Sequence, residues 1–130
     1  MENNHPHCLK KEERLSGRKS VETLFAEGHQ SFSAFPLRAV FLATEESGVR
    51  ILVSVSKRHF KRAVRRNRIK RQIREAYRLN KEMLNPATGG VNIAFLWGSN
   101  QEMTTAEVAS RMKNLLKRIH ENLSLAEKAF

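Results

Sequence analysis

Arg66, Asn67 and Arg68, followed by Lys70, Arg71, Arg74 and Arg78, are the side chains whose types and spacing point most directly to chemistry. They lie in the segment Lys57 to Arg78, KRHFKRAVRRNRIKRQIREAYR, whose 22 residues carry eleven basic side chains, eight of them Arg, against one acidic residue, Glu75. Guanidinium forks pair bidentately with phosphate, so an Arg-rich cluster of this kind suits a polyanion. At 100° per residue, Ile69, Ile73, Ala76, Tyr77 and Leu84 form one apolar stripe. Asn67, Lys70, Arg71, Arg74 and Arg78 fall on the other side, where a helix would offer phosphate a continuous track. Asn67 stands near the expected helix start, where its amide either caps the backbone or bonds a nucleotide.

The charge belongs to this segment rather than to the whole chain. The sequence has 130 residues and a net charge of +11, yet outside the segment thirteen basic residues meet twelve acidic ones. One basic segment in a near-neutral domain reads as a contact surface. All thirteen acidic residues are Glu, and the absence of Asp weighs against metal-dependent nucleases and aspartyl chemistry, which cluster carboxylates. With 40% hydrophobic and 28% charged residues, the composition is that of one globular domain over 1–130, with residues 1–12 expected as a flexible tail. No apolar run approaches a membrane span, no secretory signal opens the chain, and Cys8 is the single cysteine. A cytoplasmic location without membrane association is the expectation.

Several elements must position the basic face. A short helix is expected over 17–27, with Val21, Leu24 and Phe25 at helical spacing and Gly28 as its stop. Residues 31–42, SFSAFPLRAVFL, read as extended, with Pro36 dividing them. Residues 45–48 read as a turn. Val49 to Ser56 reads as a strand in which Val53 and Val55 oppose Ser54 and Ser56. The basic helix starts at or after Ala63 and Val64, and Asn85, Pro86, Gly89 and Gly90 end that element. Val91 to Trp97 reads as a buried strand. Thr104 and Glu107 make a capping box, with Met103 and Val108 as a hydrophobic staple. The helix that follows carries Val108, Met112, Leu115, Leu116, Ile119 and Leu123 on one stripe. This order predicts a mixed sheet covered by helices.

The run VSVSKRHFKRAVRRNRIKRQIREAYR resembles the signature of the bacterial ribonuclease P protein component. That family joins a Ser-Val-Ser-Lys strand end, here Ser54 to Lys57, through a short basic loop to an Arg-Asn-Arg helix, here Arg66 to Arg68, that continues as Ile-Lys-Arg-x-Ile-Arg-Glu, here Ile69 to Glu75. ERLSGRKSVETLFAEG resembles the family's first helix, and the likeness extends over roughly residues 9 to 123. The resemblance implies an α+β fold, an α/β sandwich of a mixed four-stranded sheet with three helices, similar to the second domain of ribosomal protein S5. It also implies a left-handed βαβ crossover, an exception to the usual hand.

The implied function is that of the protein subunit of the ribonucleoprotein endonuclease that removes the 5′ leader from precursor tRNA. The catalytic RNA subunit does the chemistry with Mg, so no catalytic and no metal-binding residue is expected on the protein, and no protein partner is implied. The resemblance assigns RNA binding to Arg66, Asn67, Arg68, Lys70, Arg71 and Arg74, with Lys57 and Arg58 in addition. It assigns the single-stranded leader to a cleft between the first helix and the sheet, at Phe25, Ser54 and Ser56. Two positions depart from the family pattern. Val21 stands where a second aromatic is usual, and the family's strand tyrosine has no clear counterpart, its place falling to Val40 or Phe41.

Other features carry less. His5, His7 and Cys8 lack a fourth ligand at zinc spacing. His29, His59 and His120 have no nucleophile beside them in sequence, and Gly89-Gly90 lacks the Lys-Ser/Thr of a phosphate loop. A ribosomal protein would share the charge but not the Ser-Val-Ser-Lys to Arg-Asn-Arg spacing. A DNA-binding helix-turn-helix would need a helix, not a strand, before the basic helix. A self-sufficient nuclease would need the carboxylates that the chain lacks.

Overall fold

A computed structural model of the chain describes residues 22, 24–25, 30–44, 48–84 and 90–128, with side chains to 123. Four strands form one sheet. They are β1 (Gln30–Ala34), β2 (Leu37–Thr44), β3 (Gly48–Val55) and β4 (Gly90–Trp97), in the order β1-β2-β4-β3. β1 and β2 form an antiparallel hairpin, β2 and β4 are antiparallel, and β3 and β4 are parallel. The parallel pair requires a crossover, supplied by the helix α1 (Ala63–Asn80) and a 3₁₀ turn (Lys81–Met83). A second long helix, α2 (Thr105–Lys128), follows β4. The fold is therefore α+β with a mixed four-stranded sheet.

Sequence explains each element. The Phe35–Pro36 turn divides the apolar run of 31–42 into the hairpin, as expected from Pro36. β4 is nearly continuous in apolar residues because it is the central strand beneath the helices, and its second face is half-covered, with Ala94 buried and Asn92 and Leu96 half-buried. Val91, Ile93 and Phe95 pack toward the helices, and Ala94 packs on the opposite face. β1 is an edge strand and alternates accordingly, with Ser31 and Ser33 exposed. Gly48 opens β3 at φ 101°, a conformation that side-chain-bearing residues rarely adopt.

Both helices cover one face of the sheet. Ile69, Ile73, Ala76 and Tyr77 of α1, with Leu84 beyond it, join Val108, Met112, Leu115, Leu116 and Ile119 of α2 over that face. Tyr77 meets Phe95 with ring centroids 6.0 Å apart. Thr104 caps α2: its Oγ1 accepts from the Glu107 backbone N–H at 3.2 Å, and its carbonyl accepts from Val108 N at 3.0 Å. The Glu107 carboxylate accepts from the Thr104 hydroxyl, 3.0 Å, which replaces the usual reach back to the backbone.

Two expectations change at α1. Asn67 sits in its second turn rather than at its start, and the cap position is Arg62, which makes no side-chain cap. The helix also stops at Asn80, where the Asn80 amide donates to the Ala76 carbonyl at 2.8 Å and the backbone tightens into the 3₁₀ turn. Of the helix expected over 17–27, Glu22, Leu24 and Phe25 are helical. Its other residues, the 1–12 tail, His5, His7, Cys8, His29 and the 85–89 segment lie outside the described residues.

Candidate nucleic-acid interface

The C-terminal ends of β3 and β4 and the start of α1 meet at one end of the sheet. Ser56 begins the connecting loop and closes it on itself. Its carbonyl accepts from the backbone N–H groups of His59 at 3.1 Å and Phe60 at 3.2 Å, and its hydroxyl accepts from Arg58 N at 3.0 Å. Phe60 is buried and anchors the loop to the core. Arg58, His59, Phe60, Lys61, Arg62 and Arg65 line an open pocket of about 530 Å³ at the helix start. The first turn of α1 has no side-chain cap and no acidic residue. The positive end of the helix dipole and the surrounding cations both favour an anion.

The predicted RNA-binding residues divide by location. Asn67, Arg71 and Arg74 are exposed on the outer side of α1 and make no side-chain bond to another described residue. Arg68 is also exposed, and with Arg65 it flanks Glu102 at 3.9 and 3.8 Å. Lys57 and Arg58 project from the loop and are exposed. Lys70 is half-buried at the margin of the stripe, and Arg78 pairs with Glu75 along the same helix.

Arg66 differs from its neighbours. It is half-buried, and its Nη1 donates to the carbonyls of Phe60 at 2.7 Å and Lys61 at 2.8 Å. The first Arg of the Arg-Asn-Arg run therefore holds the loop against the helix. The resemblance groups it with the RNA-binding cations, and a bond to a loop carbonyl is not something the sequence registers. The opposite flank of α1 is tied down as well, with Gln72 Nε2 donating to the Met103 carbonyl at 3.1 Å. Sequence reasoning passed over Glu102, Gln72 and Arg65, which join α1 to the segment after β4 through contacts far apart in the chain.

The second sheet face is more open. Its rows follow from the register: Ser31–Val40–Ala94–Leu52, then Ser33–Arg38–Leu96–Ser54 toward the basic loop. Leu24 is fully buried on the first of these rows, against Val40 and Ala94. Phe25, its neighbour, is 41% exposed and is not a core residue. Ser54 and Ser56 are exposed. Of the two candidates for the family's strand tyrosine, Val40 lies on this face and Phe41 lies under the helices. A strand and a loop precede the basic helix, which excludes a helix-turn-helix arrangement. Among the described residues no group of three or more His, Cys, Asp or Glu is placed to hold a metal ion. No described helix is long and apolar enough to cross a membrane.

Comparison with known proteins agrees with this geometry. Residues 9–120 match the family model for ribonuclease P. The ribonuclease P protein component of Porphyromonas gingivalis strain W83 is 42% identical over 122 residues, covering 88% of each chain. That of Chlorobaculum tepidum is 34% identical over 130 residues, covering 85% of this chain and 84% of its own. The solved ribonuclease P protein of Thermotoga maritima superposes with a TM-score of 0.70 at 26% identity, covering 82% of this chain and 96% of its own. The chain belongs to the ribonuclease P protein family and is the protein component of that tRNA-processing ribonucleoprotein endonuclease.

Proposed function

We propose that the chain grips two RNAs at once and leaves the hydrolysis to the catalytic RNA. The outer side of α1, with Asn67, Arg68, Lys70, Arg71 and Arg74, and the loop residues Lys57 and Arg58 bind the catalytic RNA subunit. Arg66 supports the same site by holding the loop in place. The single-stranded 5′ leader of precursor tRNA lies on the open sheet face near Phe25, Ser54 and Ser56, where an exposed ring can stack an unpaired base. The observation that carries this reading is the exposed Asn67–Arg71–Arg74 face continuing into a basic pocket at an uncapped helix start.

The reading includes a helix over 17–27 as the third of the fold, likeness to the second domain of ribosomal protein S5, and a left-handed β3–α1–β4 connection. It takes 1–130 as one domain, working in the cytoplasm without a further protein partner. Magnesium is assigned to the RNA subunit. The carboxylates near the basic face do not fit a hard cation, because Glu75 is paired with Arg78 and Glu102 lies between Arg65 and Arg68.

The test is reconstitution of precursor-tRNA cleavage at low magnesium, with and without protein. Wild type is compared with the double variant Arg71→Gln, Arg74→Gln. The variant is expected to melt within about 0.5 kcal/mol of wild type. Its affinity for the catalytic RNA should fall, and each lost phosphate contact should flatten the log–log salt dependence by about 0.7 to 0.9. An unchanged slope would place these cations away from RNA. Protein free of RNA is expected to leave precursor tRNA intact.

A further inference from the structure

The hairpin tip between β1 and β2 stands at the same end of the sheet as the basic loop. The last row of the register, Ala34–Leu37–Trp97–Val55, ends beside both. At that tip Phe35 is 69% exposed. Large apolar rings usually gain from burial, so this ring forgoes a contribution that Phe32 and Phe41 obtain by packing together below it, with centroids 5.5 Å apart.

The tip is held firmly. Arg111 Nε donates to the Phe35 carbonyl at 3.1 Å, Gly98 N to the Pro36 carbonyl at 2.8 Å, and Arg118 Nη1 to the Ser33 carbonyl at 2.9 Å. Arg118 also lies over the Phe32 ring, 4.6 Å from its centroid. Arg38, exposed on the open face, reaches Ser31 Oγ at 3.4 Å. Residues 30–44 contain no acidic side chain. An exposed ring on a fixed backbone, with the exposed Arg38 guanidinium on the adjoining row of the open face, combines the two parts by which single-stranded nucleic acid is held: a stacking platform and a cation for the phosphate.

We propose that Phe35 stacks an unpaired base of the precursor tRNA's single-stranded leader, and that Arg38 takes an adjoining phosphate. The strand would cross the open face along the Ser54–Leu96–Arg38–Ser33 row and leave it at the hairpin tip. Stacking accepts any base, so this contact adds affinity without sequence preference. The inference rests on the reading of the open face as the leader site.

The test uses the reconstituted holoenzyme, precursor tRNAs with short and long leaders, and mature tRNA. Phe35→Ala is expected to weaken binding of the long-leader precursor by about 5- to 150-fold, the range for one stacked base. It should leave the short-leader precursor and mature tRNA unaffected, and Phe35→Trp should restore affinity. A photoreactive phenylalanine analogue at position 35 should crosslink to the leader. Equal weakening of all three substrates, no weakening of any, or crosslinking only to protein would overturn the proposal. The Arg71→Gln, Arg74→Gln variant runs in parallel. If it loses affinity for the catalytic RNA while Phe35→Ala is silent, only the hairpin-tip contact is wrong. If both are silent, the wider reading fails too.

Discussion

The two described helices lie side by side on one sheet face yet are built on opposite terms. α2 buries Val108, Met112, Leu115, Leu116 and Ile119 completely and starts with a capping Thr104. α1 buries four residues and has no side-chain cap. It also places Arg62, Arg65 and Arg66 around its N-terminus, where the helix dipole is already positive. Cations there cost a helix about 0.3–1 kcal/mol each at low salt, by the reverse of the usual favourable placement. An arriving phosphate relieves that repulsion. α2 therefore serves the fold, while α1 gives up some intrinsic stability at an end whose charge suits an anion.

This contrast can be broken in three ways. The largest effect is expected from Leu116→Ala in α2, which should lower unfolding free energy by about 2–5 kcal/mol. The affinity of the remaining folded protein for RNA should be unaltered, as checked by chemical denaturation alongside RNA titration. Next comes Arg66→Gln in α1. Losing the two bonds to the Phe60 and Lys61 carbonyls should cost about 1–3 kcal/mol, at about 0.5–1.5 kcal/mol for each net hydrogen bond. A melting temperature unchanged by that substitution would return Arg66 to the purely RNA-facing group. The smallest effect is expected from Glu102→Gln. Its ion pairs with Arg65 and Arg68 are long and exposed, so stability should move by less than about 0.5 kcal/mol. RNA affinity should rise as both guanidinium groups are released. If it does not rise, Arg65 and Arg68 do not face the RNA.

What the sequence disclosed follows from which interactions are local. The apolar stripes of α1 and α2, the Ser54/Ser56 alternation, the Pro36 break and the Thr104 cap each depend on neighbours within a few residues, and each is present. The outward position of Arg71 and Arg74 follows from the same helical period. Hidden from that reading were features made by distant segments: the half-buried Arg66 on its loop carbonyls and Glu102 between two arginines. The parallel placement of β3 beside β4 came only through the family resemblance, as its βαβ crossover. Leu24 and Phe25 illustrate the limit in a single pair. Both fit one apolar stripe in sequence, but only the register of the sheet decides that Leu24 is covered and Phe25 is not.

The position of β4 has a consequence for the order in which the molecule can assemble. It lies between β2 and β3, although it is the last strand in the chain. While the polypeptide leaves the ribosome, the β1–β2 hairpin and β3 emerge with nothing to join them, and a lone hairpin is only marginally stable in water. The most cationic segment follows, exposed to the ribosome's own RNA before its docking surface exists. Only when residues 90–97 are out can the sheet close around them and α1 find its seat. The basic helix is thus synthesised in a setting rich in competing polyanions, and the arrival of one late apolar strand commits it to its place.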